Sequence, residues 1–291
     1  MVDALDTYDH TDFPATDLVR RLPGPVSVVV PTRNTAGTIA QTVGELNLLA
    51  ELGLISQILV VDADSPDGTA ATALDAGAEV ISENDLKPEF GPVHGKGDAM
   101  WRSLEAVTGE VVVFVDGDIA DFGRHYVTGL IGPLCENPGK QFVKGSYRRP
   151  FRQQTSEQPA GGGRVTELTA RPLLARTVPE LNQFDQPLAG EVAARKTLLD
   201  SIPFYTGYGV EIAMLVGVWD RIGLAGMAQV GLGTKRNAHQ SLAALGGMSA
   251  EVIEALSDVL EDLGRDDLGS IRPAPGAAAG PVVRPPRSIA V

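Results

Sequence analysis

Val111-Val112-Val113-Phe114-Val115-Asp116-Gly117-Asp118 decides the fold. Five apolar residues, four of them β-branched, run without a charge into two carboxylates. Such a run reads as a short strand buried on both faces, as in a parallel α/β sheet. Ligands of open α/β sheets bind beyond the carboxyl ends of the strands, so Asp116 and Asp118 are expected at a crevice. Gly117 removes a side chain where a ligand would approach the backbone. Two hard oxygen donors two residues apart suit Mg²⁺ or Mn²⁺, and such an ion would clamp a diphosphate. Asp also favours helix caps and turns, so the pair gains meaning from its surroundings.

Upstream the same pattern recurs. Val26-Ser27-Val28-Val29-Val30 breaks into a loop at Pro31-Thr32-Arg33-Asn34, and Thr35 or Thr38 caps a helix with Ile39, Val43, Leu46 and Leu49 at helical spacing. Ile58-Leu59-Val60-Val61 ends in Asp62; turn residues 64–69 then lead into an alanine-rich helix that stops near Gly77, and Glu79-Val80-Ile81 is a third strand. This alternation predicts right-handed βαβ crossovers in a mostly parallel sheet. Residues 84–97 form a loop rich in Gly and Pro that closes with His94-Gly95-Lys96-Gly97. Lys96, opening a helix through Ala99, Met100, Leu104 and Val107, is placed to offer an ammonium to a phosphate. Walker spacing and the hydroxyl after the lysine are missing, so this is no P-loop. A nucleotidyltransferase would carry a glycine-rich phosphate loop directly after the first strand, and Pro31-Thr32-Arg33-Asn34 is not one.

Downstream, residues 141–147 read as a strand ended by Arg148-Arg149-Pro150. Gly161-Gly162-Gly163-Arg164-Val165-Thr166-Glu167 opens a helix running through Leu168 to Leu174, and its exposed amides with the Arg164 fork suit a carboxylate or phosphate. Pro187-Leu188-Ala189-Gly190-Glu191 and Gly207-Tyr208-Gly209-Val210-Glu211 each read as a loop whose carboxylate starts a helix. Residues 228–233 form a last strand, Lys235-Arg236-Asn237-Ala238-His239 follow it, and a helix spans about 249–263.

The formal charge of −13, from 24 Lys and Arg against 37 Asp and Glu, argues against a nucleic-acid-binding surface and against anchoring on anionic membranes. An anionic substrate therefore needs a local basic pocket or a metal. The single cysteine, Cys135, excludes an intramolecular disulfide; with Leu130, Ile131 and Leu134 around it, it reads as a core thiol. The first 17 residues are acidic, with neither a basic n-region nor an apolar h-region, and no window has the length of a membrane span. A cytoplasmic protein is expected.

The order of these pieces resembles a glycosyltransferase of the GT-A fold, and more narrowly the retaining glucosyl-3-phosphoglycerate synthase family. The matching stretches are 29–34, 58–62, 95–104 (Gly-Lys-Gly-Asp-Ala-Met-Trp-Arg-Ser-Leu), 111–118, 147–150, 161–168 and 207–212 (Gly-Tyr-Gly-Val-Glu-Ile), within most of residues 25–250. The resemblance implies a Rossmann-like α/β fold: a mostly parallel sheet flanked by helices, with an acceptor-binding second half. It implies glucose transfer from a nucleoside-diphosphate sugar to a small anionic acceptor, 3-phosphoglycerate, with retention, by a homodimer using Mg²⁺ or Mn²⁺. Pro31, Thr32, Arg33, Asn34, Thr35, Asp62 and Ala63 would line the nucleoside pocket. Lys96, Asp116 and Gly117 would hold the donor diphosphate and nucleotide, Tyr208, Gly209 and Glu211 would lie beside the sugar, and Asp118 would ligate the metal. Gly163, Arg164, Val165 and Thr166 would hold the acceptor, with Asn237 and His239 shared between acceptor and metal. Glu211, Asp118 and Lys96 are the expected catalytic groups, with Glu211 steadying a cationic sugar during front-face attack.

The chain departs from the family pattern at Thr35-Ala36, where acidic residues are usual, at Ala63 in place of serine, and at Asn237 and His239, which stand in exchanged order when counted without gaps, whereas a two-residue shift matches Ala238-His239; His239 is the expected metal neighbour, with Asn237 as the substitute. These changes touch both substrates. They leave open a relative recruited to antibiotic biosynthesis, such as a thiol glycosyltransferase of lincosamide assembly joining a GDP-octose to the zwitterion ergothioneine. A non-catalytic nucleotide-sugar sensor is the alternative of another class. The expected organisation is a loose lead over 1–24, tethered by Leu18 and Leu22, a nucleotide-sugar half over 25–133, an acceptor half over 134–247, a C-terminal helix over 248–267 and a disordered tail over 268–291.

Overall fold

Val111–Phe114 is a strand with all four side chains buried, inside an eight-stranded sheet. The computed structural model describes residues 4–153, 156–158, 163–236, 241–265, 268 and 282–287. The strands are β1 (Asp6–Asp9), β2 (Val26–Thr32), β3 (Gln57–Asp62), β4 (Glu79–Ser82), β5 (Val111–Phe114), β6 (Phe142–Arg148), β7 (Phe151–Gln153), β8 (Ser156–Gln158), β9 (Val192–Arg195), β10 (Phe204–Tyr205), β11 (Met227–Thr234) and β12 (Val283–Arg284). The α-helices are α1 (Ala15–Leu18), α2 (Ile39–Glu51), α3 (Thr69–Asp75), α4 (Gly95–Ser103), α5 (His125–Glu136), α6 (Arg171–Thr177), α7 (Lys196–Leu199), α8 (Val210–Ile222) and α9 (Leu242–Asp262). The large sheet runs β1-β11-β6-β9-β5-β2-β3-β4. Its pairs are parallel except those of β9, which lies antiparallel to both β5 and β6.

Alternation along the strands sends side chains into two cores, one on each face. Val29, Leu59, Val61, Val112 and Phe114 meet Met100 and Trp101 of α4, Leu215 of α8 and Leu256 of α9. Val28, Val30, Val60, Val111 and Val113 meet Val43 and Leu46 of α2 and Leu130 and Ile131 of α5. Each such side chain contributes about 1.5–3 kcal/mol by leaving water, so the strand-end turns rest on a rigid base. The register pairs Thr32 with Asp62 and Asp62 with Ser82, which brings the carboxyl ends of β2, β3 and β4 to one rim.

Four segments differ from the sequence reading. The lead over 1–24 is not loose: β1 pairs with β11 at the edge of the sheet, and Phe13 and Leu18 are buried against the α5 side. Gly132 of α5 makes room for the Phe13 ring, because a Cβ there would overlap it. The polar Asp-Thr-Tyr-Asp of β1 hides this strand, whose stability comes from backbone pairing and from residues outside it. Glu191 starts no helix; it precedes β9, an Ala-rich run buried between two neighbours, which periodicity alone does not distinguish from a helix. The helix expected from 248 begins at Leu242, where Ser241 caps it by accepting from the Ala244 N–H at 3.2 Å. In the tail expected to be disordered, β12 pairs antiparallel with β10.

The helix expected after the glycines runs from Arg164 to Thr177 through a π segment at Thr166–Ala170. Pro172 lacks an N–H, and the preceding Arg171 N–H reaches back to Thr166 instead. Cys135 is partly buried and burial pushes its thiol up to about 11, which leaves it unreactive as expected of a core thiol. Among the described residues no helix is long and apolar enough to cross a membrane.

Candidate active site

Beyond the β5 end, five charged side chains alternate in sign: Glu211, Lys96, Asp116, Lys235 and Glu191. Lys96 Nζ donates to Asp116 Oδ1 at 2.6 Å and to Glu211 Oε1 at 2.9 Å. Lys235 Nζ donates to Asp116 Oδ2 at 2.6 Å and to Glu191 Oε1 at 2.5 Å. The elements that deliver them are the turn after β5, the N-terminal turn of α4, the first turn of α8, the end of β11 and the residue before β9. Lys96, Asp116 and Glu211 keep 26, 21 and 11 % of their side-chain surface open, whereas Lys235 and Glu191 keep none. The chain therefore has a mouth and a buried end. Gly190 lets the mouth form, because a Cβ there would overlap Lys96 Nζ and stand 2.7 Å from Asp116 Oδ1.

Lys96, Asp116 and Lys235 hold one another ionised. Burial alone would pull Lys96 and Lys235 down, but Asp116 and their second carboxylates keep both above the usual lysine range. Burial would raise Asp116, yet the two ammoniums hold it well below the usual carboxylate range. At the closed end burial wins, and the Glu191 carboxyl is raised. Its Oε2 is buried with no hydrogen-bond partner among the described residues. Burial also lowers Lys144 of β6 to about 8, where its Nζ donates to the Ala189 carbonyl at 2.7 Å in the loop leading to Glu191. Tyr147 lies under this end, with Lys235 Nζ and the Arg149 guanidinium each 5.1 Å from its ring centre. Burial, then Glu191, pushes its phenol up to about 12, so it stays neutral and accepts from Arg149 Nη2 at 3.0 Å.

Of the residues expected to act, Lys96, Asp116 and Glu211 come together. Asp118 is exposed at the same turn, and its carboxylate takes part in no hydrogen bond or ion pair among the described residues. Among the residues expected to line a nucleoside pocket, Arg33 and Asn34 are exposed and Pro31 and Ala63 half-buried; Thr35 is buried, and its Oγ1 has no partner among the described residues. Asp62 is engaged internally, accepting from Thr32 Oγ1 at 2.9 Å and from the Ser65 N–H and Oγ at 2.8 Å each. It fastens the ends of β2 and β3. Gly117 serves packing: a Cβ would stand 2.8 Å from Thr32 Cγ2, and its carbonyl accepts from Thr38 Oγ1 at 2.6 Å. Gly209 likewise sits against Ala255 of α9. Tyr208 is 48 % exposed, its N–H anchored to Glu251 Oε2 at 2.8 Å.

Of the residues expected to hold the acceptor, Val165 and Thr166 are buried, and Arg164 is half-buried. Gly163 takes φ +75°, open to glycine, and a Cβ there would stand 3.7 Å from Arg149 Cδ, which puts this segment beside the Tyr147 end of the charged chain. Asn237 and His239, with Gly161 and Gly162, lie outside the described residues.

Mg²⁺ or Mn²⁺ fits the donor set. Both Asp116 oxygens are taken by lysines, but Asp118 is a hard oxygen ligand with no partner among the described residues, and such ions commonly take one or two carboxylates plus substrate phosphates and water. Among the described residues no three His, Cys, Asp or Glu side chains form a metal cluster by themselves.

Residues 27–184 match the model of glycosyl transferase family 2. The glucosyl-3-phosphoglycerate synthase of Mycolicibacterium smegmatis is 47 % identical over 231 residues, 79 % of this chain and 76 % of that protein. The chain belongs to glycosyl transferase family 2. Solved structures share its fold along nearly the whole length. Mannosyl-3-phosphoglycerate synthase from Rubrobacter xylanophilus superposes with a TM-score of 0.87 at 44 % identity, over 97 % of this chain and 96 % of that one. Glucosyl-3-phosphoglycerate synthase from Mycobacterium tuberculosis, in complex with Mn²⁺, UDP-glucose and phosphoglyceric acid, does so with 0.85 at 39 %, over 99 % of each chain. The GT-A fold and the family expected from the sequence are therefore correct, and the protein is a glycosyltransferase. The antibiotic-assembly and sensor alternatives gain no support from these relatives.

Sequence reasoning missed Lys235, Glu191 and Lys144. A lone carboxylate inside the apolar run 188–194 was the signal available for Glu191. For Lys235 it was a cation directly after a buried strand.

Proposed function

We propose that this glycosyltransferase moves glucose from UDP-glucose to 3-phosphoglycerate with retention of configuration, using Mn²⁺ or Mg²⁺. The observation that carries the reading is the open Lys96–Asp116–Glu211 end of the charged chain, with the exposed Asp118 carboxylate two residues after Asp116. The matched M. tuberculosis complex with Mn²⁺, UDP-glucose and phosphoglyceric acid supports the choice of substrates.

Departure of a nucleoside diphosphate builds negative charge on its terminal phosphate. Lys96 remains charged at any physiological pH and is held at the mouth by Asp116 and Glu211, while Lys235 also pairs with Asp116. A donor fixed in advance and aimed at developing charge is worth about 10²–10³ in kcat. A divalent ion on Asp118 would supply Lewis-acid neutralisation of the diphosphate. Glu211, 2.9 Å from Lys96, steadies positive charge on the sugar, and the exposed Tyr208 ring covers one side of it. Arg164 and the amides at 163–166 hold the acceptor anions, with His239 or Asn237 completing the metal and acceptor contacts. Residues 31–35 and Ala63 line the base. A homodimer working in the cytoplasm completes the proposal.

The test is incubation with UDP-glucose, Mn²⁺ and 3-phosphoglycerate, with the product's anomeric configuration read by NMR. GDP-sugars and ergothioneine are added arms, because Thr35, Ala36 and Ala63 alter the donor end. An α-glucosyl product supports the proposal; turnover only in an added arm replaces the substrates, and nucleotide binding without transfer on any acceptor makes the protein a sensor. Light scattering at micromolar concentration reads the dimer.

A further inference from the structure

Residues 282–287 reach the back of the charged site from far along the chain. The Thr206 N–H donates to the Val282 carbonyl at 3.0 Å, and the Val282 N–H returns a bond to Thr206 Oγ1 at 2.9 Å. Arg284 is 6 % exposed and grips the fully buried Asp98 of α4 with two bonds, Nε to Oδ1 at 2.8 Å and Nη2 to Oδ2 at 2.6 Å. Its guanidinium also lies 5.6 Å from the Phe90 ring centre and 5.8 Å from that of Trp101. Trp101 Nε1 donates to the Pro285 carbonyl at 2.9 Å, and Arg287 pairs with Glu105 and Asp200. One short strand is thus fixed to both α4 and β10.

These two elements carry the open charges. Asp98 also accepts from the His94 N–H at 3.0 Å, two residues before Lys96, and His94 in turn accepts from the Gly207 N–H at 3.0 Å. A Cβ at Gly97 would overlap the Tyr205 carbonyl, so α4 and β10 touch backbone to backbone. Glu211 follows four residues after Gly207, and Lys96 bridges back to it.

We propose that residues 282–287 are a strap that sets the Lys96–Glu211 geometry, with Arg284 as its positioning residue. Arg284 touches neither charged group of the site; it acts through Asp98 and His94 on Lys96, and through the β10–β12 pairing on the Tyr208–Glu211 loop. A bidentate guanidinium suits this task because it fixes orientation as well as distance. The consequence is a kcat effect from a residue outside the substrate pockets.

The inference rests on the glycosyl-transfer reading, and two measurements on the full chain separate their failures. Arg284→Ala is expected to lower kcat by about 10- to 100-fold, as misplacements near 1 Å do, with donor KM within about twofold of wild type. Hydrogen exchange at 94–97 and 206–209 should speed by at least about tenfold, with β2 and β3 unaltered. Arg284→Lys, a point charge without the fork, should give a milder form of both changes. Unchanged exchange at those amides overturns the strap, as does an unchanged kcat in a chain whose wild type is active. A wild type that transfers no sugar, with faster exchange in Arg284→Ala, overturns the substrate reading and leaves the strap standing.

Discussion

Lys235→Met probes the buried end of the charged chain most sharply. Lys235 has no exposed side-chain surface and pairs with Asp116 at 2.6 Å and Glu191 at 2.5 Å. At an effective dielectric of about 20, unit charges at such a distance attract by about 6 kcal/mol. Desolvation offsets most of that, and breaking a buried pair from one side costs about 3–5 kcal/mol net. Methionine fills the volume but leaves Asp116 paired with Lys96 and takes from Glu191 its ion-pair partner, with only the more distant Lys96 to offset its charge. Glu191, already raised by burial, then takes up a proton. Its unfolded value stays near about 4.3, so between that pH and the higher folded value the folded form binds more protons and stability falls as pH rises. The variant should therefore lose more stability at pH 8 than at pH 5. Lys235→Met combined with Glu191→Gln removes the stranded charge and should recover about 1.5 kcal/mol or more of the loss, as coupling between residues in contact. Urea denaturation of the four proteins at both pH values reads all of this. A loss under about 1 kcal/mol in the single variant, or a double variant equal to the sum of the singles, refutes the argument.

Glu211→Gln should lower kcat by about 100-fold or more while UDP affinity stays within a few-fold, since its charge is needed when the sugar becomes cationic; titration calorimetry beside initial rates checks it. Gly190→Ala should part Lys96 from Asp116, lowering activity about 10- to 100-fold and stability by about 1–3 kcal/mol through overpacking, read by rates and thermal melts. Burial, with Asp64 and Asp98 nearby, pushes the Glu83 carboxyl up to about 7. Its contribution thus falls as pH rises from about 4.3 to 7, and Glu83→Gln should stabilise by about 1–2 kcal/mol at pH 8 with little effect at pH 4; chemical denaturation at the two pH values decides.

The parallel half of the sheet was legible because β2, β3 and β5 are apolar runs buried on both faces and bounded by turn residues. Lys96, Asp116 and Glu211 were legible for a related reason: each stands where a strand or loop hands over to the next element, and the resemblance named the same positions. Glu191 and Lys235 were not, because their partner is set by tertiary pairing. Lys235 meets Asp116 across 119 residues of sequence, through the placing of β9 between β5 and β6. The strand at Asp6–Asp9 and the strap at 282–287 escaped because backbone pairing and ion pairs hold them, with no apolar run to announce either. Asp62 and Gly117 were read as ligand contacts, yet their hydrogen bonds and packing fasten the rim on which a ligand would sit.

Binding of UDP to the wild type and to Asp118→Ala, each measured with Mn²⁺ and with EDTA, tests the central claim most directly. Mn²⁺ should tighten UDP binding to the wild type by at least about tenfold, or about 1.4 kcal/mol, and leave Asp118→Ala unaffected. Equal affinity in all four titrations would contradict that claim.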